Sequence, residues 1–226
     1  MSQHRSTTND VDTNAAGETG PSACHSPAAL ARLLITAAVG LALDLATKVW
    51  AFKALLYEQV TQPDGSVQVQ SATYALLPGW LQFHVTANQG AVFGVGQGNR
   101  WLFVAVSVAA IGFLFYLFAT SAPRQRVYQV IVGMLLAGVM GNLYDRLVFG
   151  YVRDMIYMLP GRSWPAWLAN ALPADWQWTR GPVFPWIFNV ADTLLCTGVG
   201  LMLVYSLAVA RRHHNEREAE LAPAKS

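Results

Sequence analysis

Four runs of about twenty predominantly apolar residues constrain this chain more than any other feature: residues 30–52, 101–120, 127–147 and 185–210. A helix needs roughly 20 such residues to cross the hydrocarbon core of a bilayer. Inside that core, only helices and closed barrels can satisfy the backbone's hydrogen-bonding groups. The spacing therefore predicts four membrane-spanning helices. Charge usage agrees: charged residues make up 12% of the 226 and apolar residues 54%, against about 25% charged in a soluble domain, and the mean hydropathy is +0.31. A net charge of +2 offers no basic field for nucleic acid, and no nucleic-acid partner is expected. Two cysteines, Cys24 and Cys196, make no disulfide framework. His4, His25, His84, His213 and His214 lack metal-ligand spacing, so no metal or cofactor is expected.

Residues 1–29 are polar and lack apolar periodicity, which predicts a disordered tail. No apolar stretch within them resembles a signal-peptide core, and the same lack argues against lipidation at Cys24. Four spans put both termini on one side. Arg32, the connector arginines Arg124 and Arg126, and Arg211 and Arg212 after the fourth span assign that side to the cytoplasm. The domain reading is a cytoplasmic tail (1–29), a four-span domain (30–210) with outer segments 53–100 and 148–184, and a second cytoplasmic tail (211–226). Tryptophan favours the headgroup level, and Trp50, Trp80, Trp101, Trp164, Trp167, Trp176, Trp178 and Trp186 all fall at the outer ends or in the outer segments. Alternating stretches at 67–70 and 80–85, flanked by the turn residues Pro63-Asp64-Gly65 and Pro78-Gly79, predict a small antiparallel sheet on the outer face. A short amphipathic helix is expected over 164–172. The fold class is thus an all-α membrane protein carrying a small extracytoplasmic sheet and a short helix. No internal repeat suggests an inverted-repeat transporter.

Ionisable residues in or beside spans are functional candidates. Asp44 and Lys48 are four apart on one helix face, which suits an ion pair; a structural role and a substrate role are both open. The third span ends in Gly141-Asn-Leu-Tyr-Asp-Arg146, with Asn142 and Asp145 on one face and Arg146 able to fork onto a carboxylate. Gly150 allows a sharp turn, and Asp154 follows. The fourth span opens with Phe188-Asn-Val-Ala-Asp192, where the helix N-terminus favours a carboxylate. Asp154 and Asp192 are therefore expected at one depth, with Asn142 and Asn189 nearby. Two close carboxylates tend to share one proton, the arrangement of aspartic-protease chemistry. A polar cluster that locks the bundle, or a proton or cation pathway in a non-catalytic binding or transport protein, remains open from spacing alone. Cys196, one turn after Asp192, reads as a packing residue, because no histidine in the spans could activate it.

Four blocks in order carry a resemblance to the bacterial lipoprotein signal peptidases, signal peptidase II: Asp44-Leu-Ala-Thr-Lys48, Asn88-Gln-Gly-Ala-Val-Phe-Gly94, Gly141 to Arg146 with Gly150-Tyr-Val-Arg-Asp154, and Phe188 to Asp192. The resemblance covers residues 30–210. It implies a multi-pass inner-membrane aspartyl endopeptidase that cuts prolipoproteins just before the lipid-modified cysteine, with membrane lipid as its surroundings and no cofactor; the sequence leaves the oligomeric state open, with a monomer as the expectation. It implies Asp154 and Asp192 as the catalytic pair. It also implies that Asn88, Gly90, Phe93, Asn142, Asp145, Arg146, Asn189, Asp44 and Lys48 shape the substrate pocket. Three departures stand out: Met155 where the family commonly has Phe, a long 157–185 segment, and the polar N-terminal extension.

Overall fold

The computed structural model describes residues 22–90, 99–171 and 181–221. Four helices are long and apolar enough to cross a membrane: α1 (Pro27–Leu55), α2 (Arg100–Ala119), α3 (Arg126–Val148) and α5 (Val190–Leu221). A short helix, α4 (Ala166–Ala171), lies within the expected 164–172 stretch; Leu172, Trp176 and Trp178 fall outside the described residues. The strands are β1 (Leu56–Thr61), β2 (Val67–Ser71), β3 (Thr73–Leu77), β4 (Leu81–Asn88), β5 (Val152–Met158) and β6 (Ile187–Phe188). The protein is therefore not all-α.

Helix α1 starts earlier than hydropathy suggested. Ser26 caps it, its Oγ accepting from Ala29 N–H, and Pro27 occupies the first turn, where its missing N–H costs nothing. A single turn over Ala23–His25 precedes it and is tied to the α2–α3 connector, Ala23 N–H donating to Ser121 O at 2.9 Å. Arg32 donates to Gln129 Oε1 (2.8 Å) and to Pro123 O (3.0 Å). Helical structure at 23–25 and from Pro27 thus lies within the expected tail, whose residues 1–21 lie outside the described residues. At the other terminus α5 runs on to Leu221, so most of the second expected tail is helix.

The buried face of α1 is Ala29, Leu33, Ala37, Gly40, Asp44, Lys48, Ala51 and Leu55. Steps of three and four make one stripe, and it faces α3. Helix α3 is the centre of the bundle: 61% of its apolar window is buried, against 28%, 17% and 6% for α1, α2 and α5. Between lipid-soluble helices, close packing does the work that the hydrophobic effect does in water, and small residues permit it. A Cβ on Gly133 would stand 2.8 Å from Thr36 Cβ. One on Gly138 would stand 2.6 Å from Leu195 Cγ and 2.7 Å from Ala191 O. Gly138→Ala is expected to cost about 1–3 kcal/mol through overpacking, read as a lower melting temperature in detergent. An unchanged melting temperature would show that α5 can move aside freely. Outward-facing Leu34, Ile35, Phe113, Val199, Leu203 and Val204 are exposed, as a lipid-facing surface requires.

Two antiparallel sheets sit at the end of the bundle opposite the Ala23–His25 turn: the β1–β2 hairpin and a four-stranded sheet in the order β3-β4-β5-β6. The second sheet combines both non-helical segments. Alternation revealed β2 and β4, whereas β5 and β6 carry too little alternation to be seen. The sheet rests on α1 through a small core of Ala51, Leu55, Val85 and Met155; Met155 is fully buried there, so the Met at this position fills a packing site. Gly150 turns the chain from α3 into β5 with φ +85°, a left-handed conformation that glycine adopts without strain. The fourth span begins at Val190 rather than 185, because Ile187 and Phe188 pair with Tyr157 and Ile156 of β5.

Candidate active site

Sheet order brings the polar residues together. In the β4–β5 ladder Thr86 faces Asp154 and Asn88 faces Val152, so Asn88 and Asp154 share one end of the sheet. β6 lies on the other side of β5, and the residue after it, Asn189, begins α5. Asn189 and Asp192 form a reciprocal cap: Asp192 N–H donates to Asn189 Oδ1 (2.9 Å), and Asn189 N–H donates to Asp192 Oδ2 (3.2 Å). This has the geometry of a capping box, and it holds Asp192 in the first turn of α5.

Three asparagines then hold the two carboxylates. Asn88 Nδ2 donates to Asp154 Oδ2 (2.9 Å), Asn189 Nδ2 to Asp154 Oδ1 (2.6 Å), and Asn142 Nδ2 to Asp192 Oδ1 (2.8 Å). The amide orientations follow from their other partners. Asn88 Oδ1 accepts from Gly90 N–H, Asn189 Oδ1 from Asp192 N–H, and Asn142 Oδ1 from Lys48 Nζ and Asn189 Nδ2. A backbone N–H and an ammonium can only donate, so each amide must turn its oxygen towards them and its NH₂ towards a carboxylate.

Behind the asparagines lies a buried ionic cluster. Lys48 Nζ stands 2.8 Å from Asp44 Oδ2 and 3.1 Å from Asp145 Oδ2. All three side chains are fully buried. The Asp44 Oδ2 contact is an ion pair without hydrogen-bond alignment, and Asp44 Oδ1 accepts from Ala191 N–H at 2.8 Å. Gly141 makes room for Asp44: a Cβ there would collide with Asp44 Oδ2. Asp145 receives its fork from Arg153, not Arg146. Arg153 Nε and Nη2 reach Asp145 Oδ1 at 3.0 and 2.7 Å, and Arg153 N–H reaches Oδ2 at 2.9 Å. Helical phase turns Arg146 elsewhere: its guanidinium lies 5.0 Å from the Phe103 ring, with a long 3.4 Å contact to Asn142 O among the described residues.

A cavity of about 830 Å³ opens beside the carboxylates. Asn88, Gly90, Asn142, Arg146, Asp154 and Asp192 supply its polar lining, and Met158, Phe184, Trp186 and Phe188 its apolar wall. Phe93 lies outside the described residues. Asn189, Asp44, Lys48 and Asp145 stand behind the wall, so of the residues expected to shape the pocket these four act through others. Asp154 is 1% exposed. Burial, and then the neighbouring Asp192 charge, push its carboxyl up to about 8, against the opposing pull of its two asparagine donors. The pair thus offers a protonated carboxyl on Asp154 and a second carboxylate facing the cavity. Sequence reading missed Arg153 and the Phe184–Trp186–Phe188 wall. A lone arginine inside the apolar run of β5, just past a glycine turn from Asp145, was the available signal for the first.

The family model described as signal peptidase (SPase) II matches residues 36–208. The chain belongs to the signal peptidase II family. This is a family of aspartic peptidases, so the transport alternative falls away. A lipoprotein signal peptidase of Rhodopirellula baltica is 32% identical over 67% of this chain and 65% of its own length. One from Symbiobacterium thermophilum is 29% identical over 73% and 95%, and one from Listeria monocytogenes 31% identical over 58% and 71%. The chain thus matches just under two thirds of the Rhodopirellula protein. A bacterial membrane enzyme solved in meso at 2.3 Å shares the fold of this signal peptidase II member, with a TM-score of 0.57 and 24% identity, covering 78% of this chain and 87% of that one. A second, at 1.9 Å, has a TM-score of 0.55 and 23% identity, covering 77% and 92%.

Proposed function

We propose that this chain is a membrane endopeptidase that removes signal peptides from lipid-modified lipoprotein precursors, cutting before the diacylglyceryl-cysteine, with Asp154 and Asp192 as its catalytic pair. The observation that carries the reading is the pair itself: two carboxylates from separate elements, each held by asparagine amides, at the wall of one cavity where the sheet meets the helix ends. In this mechanism the Asp192 carboxylate takes a proton from water, and the resulting hydroxide attacks the scissile carbonyl carbon. Asp154 gives its proton to the carbonyl oxygen. Collapse of the tetrahedral intermediate breaks the C–N bond, with a proton passing to the leaving nitrogen. Both oxygens of Asp154 accept from asparagines, and the residue lines the same cavity as Asp192, where its proton is used. Asn88, Asn142 and Arg146 border the substrate chain. Asp44, Lys48, Asp145 and Asn189 hold those groups in place.

A signal-peptide helix would reach this cavity through the bilayer, its apolar side chains against Phe184, Trp186 and Phe188 and its acyl chains left in lipid. The test is complementation. Cells depleted of their own lipoprotein signal peptidase accumulate lipid-modified precursor; expression of this chain should clear it, and persistence of the precursor with the chain present in the membrane would refute the reading.

The proton on Asp154 gives the account a pH signature. The active form needs it, so turnover should fall about tenfold per pH unit above about 8. A single-turnover rate still flat at pH 9.5 would contradict that assignment.

The proposed orientation has both termini cytoplasmic and the sheets outside. Cys24 is exposed beside the α2–α3 connector, and Asp64 is exposed at the tip of the β1–β2 hairpin. In a Cys196→Ser background on intact cells, an impermeant thiol reagent should label Asp64→Cys and spare Cys24. The opposite pattern would invert the topology.

A further inference from the structure

We propose that Arg153 is a positioning residue for the reaction: it clamps β5 to the end of α3 through Asp145, and so fixes where Asp154 stands. This rests on the reading of Asp154 as catalytic. The motif resemblance gave Arg153 no role, and the residue does not touch the cavity.

Three N–H donors of this one residue converge on one carboxylate. Its backbone N–H takes Asp145 Oδ2, and its Nε and Nη2 take Oδ1. The bonds join residues eight positions apart across the Gly150 turn. Phe149 lies 4.2 Å from the guanidinium carbon on one side and Phe52 6.0 Å away, and only 5% of Arg153 is exposed. The fork therefore has no room to swing.

Successive side chains of a strand point to opposite faces. Arg153 grips the helix side of β5 while Asp154 faces the asparagines. The grip is needed at this point because the β4–β5 ladder is irregular between Phe83 and Thr86, opposite Met155. The ladder pairs 152–154 with Asn88, Ala87 and Thr86 and is interrupted at Met155, immediately after Asp154, whose carboxylate accepts from Asn88 and Asn189. Charge balance is not the main service. Asp145 also has Lys48 at 3.1 Å, whereas among the described residues no other side chain forks from β5 onto α3. Lysine would keep the charge but lose the two-pronged grip.

The test uses the full-length enzyme in detergent with a diacylglyceryl-modified precursor, after wild-type cleavage is established. If wild type does not cleave, the functional reading fails; everything below applies once it does. Arg153→Met, compared at matched folded fraction, should lower kcat about ten- to hundredfold, the scale of a small misplacement of a reacting group, with KM within about twofold. Arg153→Lys should recover only part of that loss. The Asp145→Asn/Arg153→Met double leaves no unpaired charge and is the variant to measure if Arg153→Met does not fold; its kcat should stay depressed. Wild-type kcat in either Met variant, a raised KM at unchanged kcat, or full recovery by lysine would overturn the proposal.

Discussion

Asp154→Asn and Asp192→Asn are each expected to lower single-turnover cleavage of a lipidated precursor by about 10³-fold or more, with the double variant little worse than either single one. Each carboxyl has one half of the proton traffic, so removing either half stops the cycle. Both substitutions keep side-chain shape. In Asp192→Asn the carbonyl can still accept from Asn189 N–H, so the cap of α5 survives, while the new NH₂ faces the Asn142 Nδ2 donor. In Asp154→Asn one of the two asparagine donors meets an NH₂ instead of an oxygen, a cost of about 1–3 kcal/mol for an unsatisfied buried group. Loss of turnover should therefore far exceed loss of folded protein. Substantial turnover by either single variant, with folding established by melting, would remove the dyad.

The second large effect is on stability. Lys48→Met should cost about 3–5 kcal/mol, because it strips the shared cation from two buried carboxylates. Lys48 contacts Asp44, Asp145 and the Asn142 amide. Asp145 retains Arg153, but Asp44 is left with a single N–H donor, from Ala191. The amide of Asn142 also loses a donor that fixes its orientation, so activity per folded molecule should fall as well. Asp44→Asn/Lys48→Met removes the stranded charge and should recover much of the stability. A melting temperature for Lys48→Met within a degree of wild type would show that water reaches the cluster.

The four spans were legible because crossing a bilayer demands length and hydropathy, and both are written locally. The Asp44–Lys48 pair was legible for a similar reason, since helical spacing alone brings the two together. The convergence of Asp154 and Asp192 was anticipated from the turn at Gly150 and the start of the last span. What the sequence hid depends on partners far along the chain. β5 is a strand because β4 offers it a ladder, β6 because β5 does, and Asn189 became a cap because Phe188 was drawn into that sheet. Arg146 and Arg153 show the same limit: the sequence offers two arginines for a carboxylate, and helical phase turns Arg146 away from Asp145 while the path of the chain through Gly150 brings Arg153 to it.

The most direct measurement is the cut site. Purified protein, a diacylglyceryl-modified precursor and its unmodified counterpart are incubated together, and the products are mapped by mass spectrometry. The account predicts one cleavage, in the modified precursor, giving a released signal peptide and a product that begins with the lipid-bearing cysteine; the same preparation of Asp154→Asn leaves the precursor whole. Cleavage elsewhere, equal cleavage of both precursors, or the same product from Asp154→Asn would contradict it.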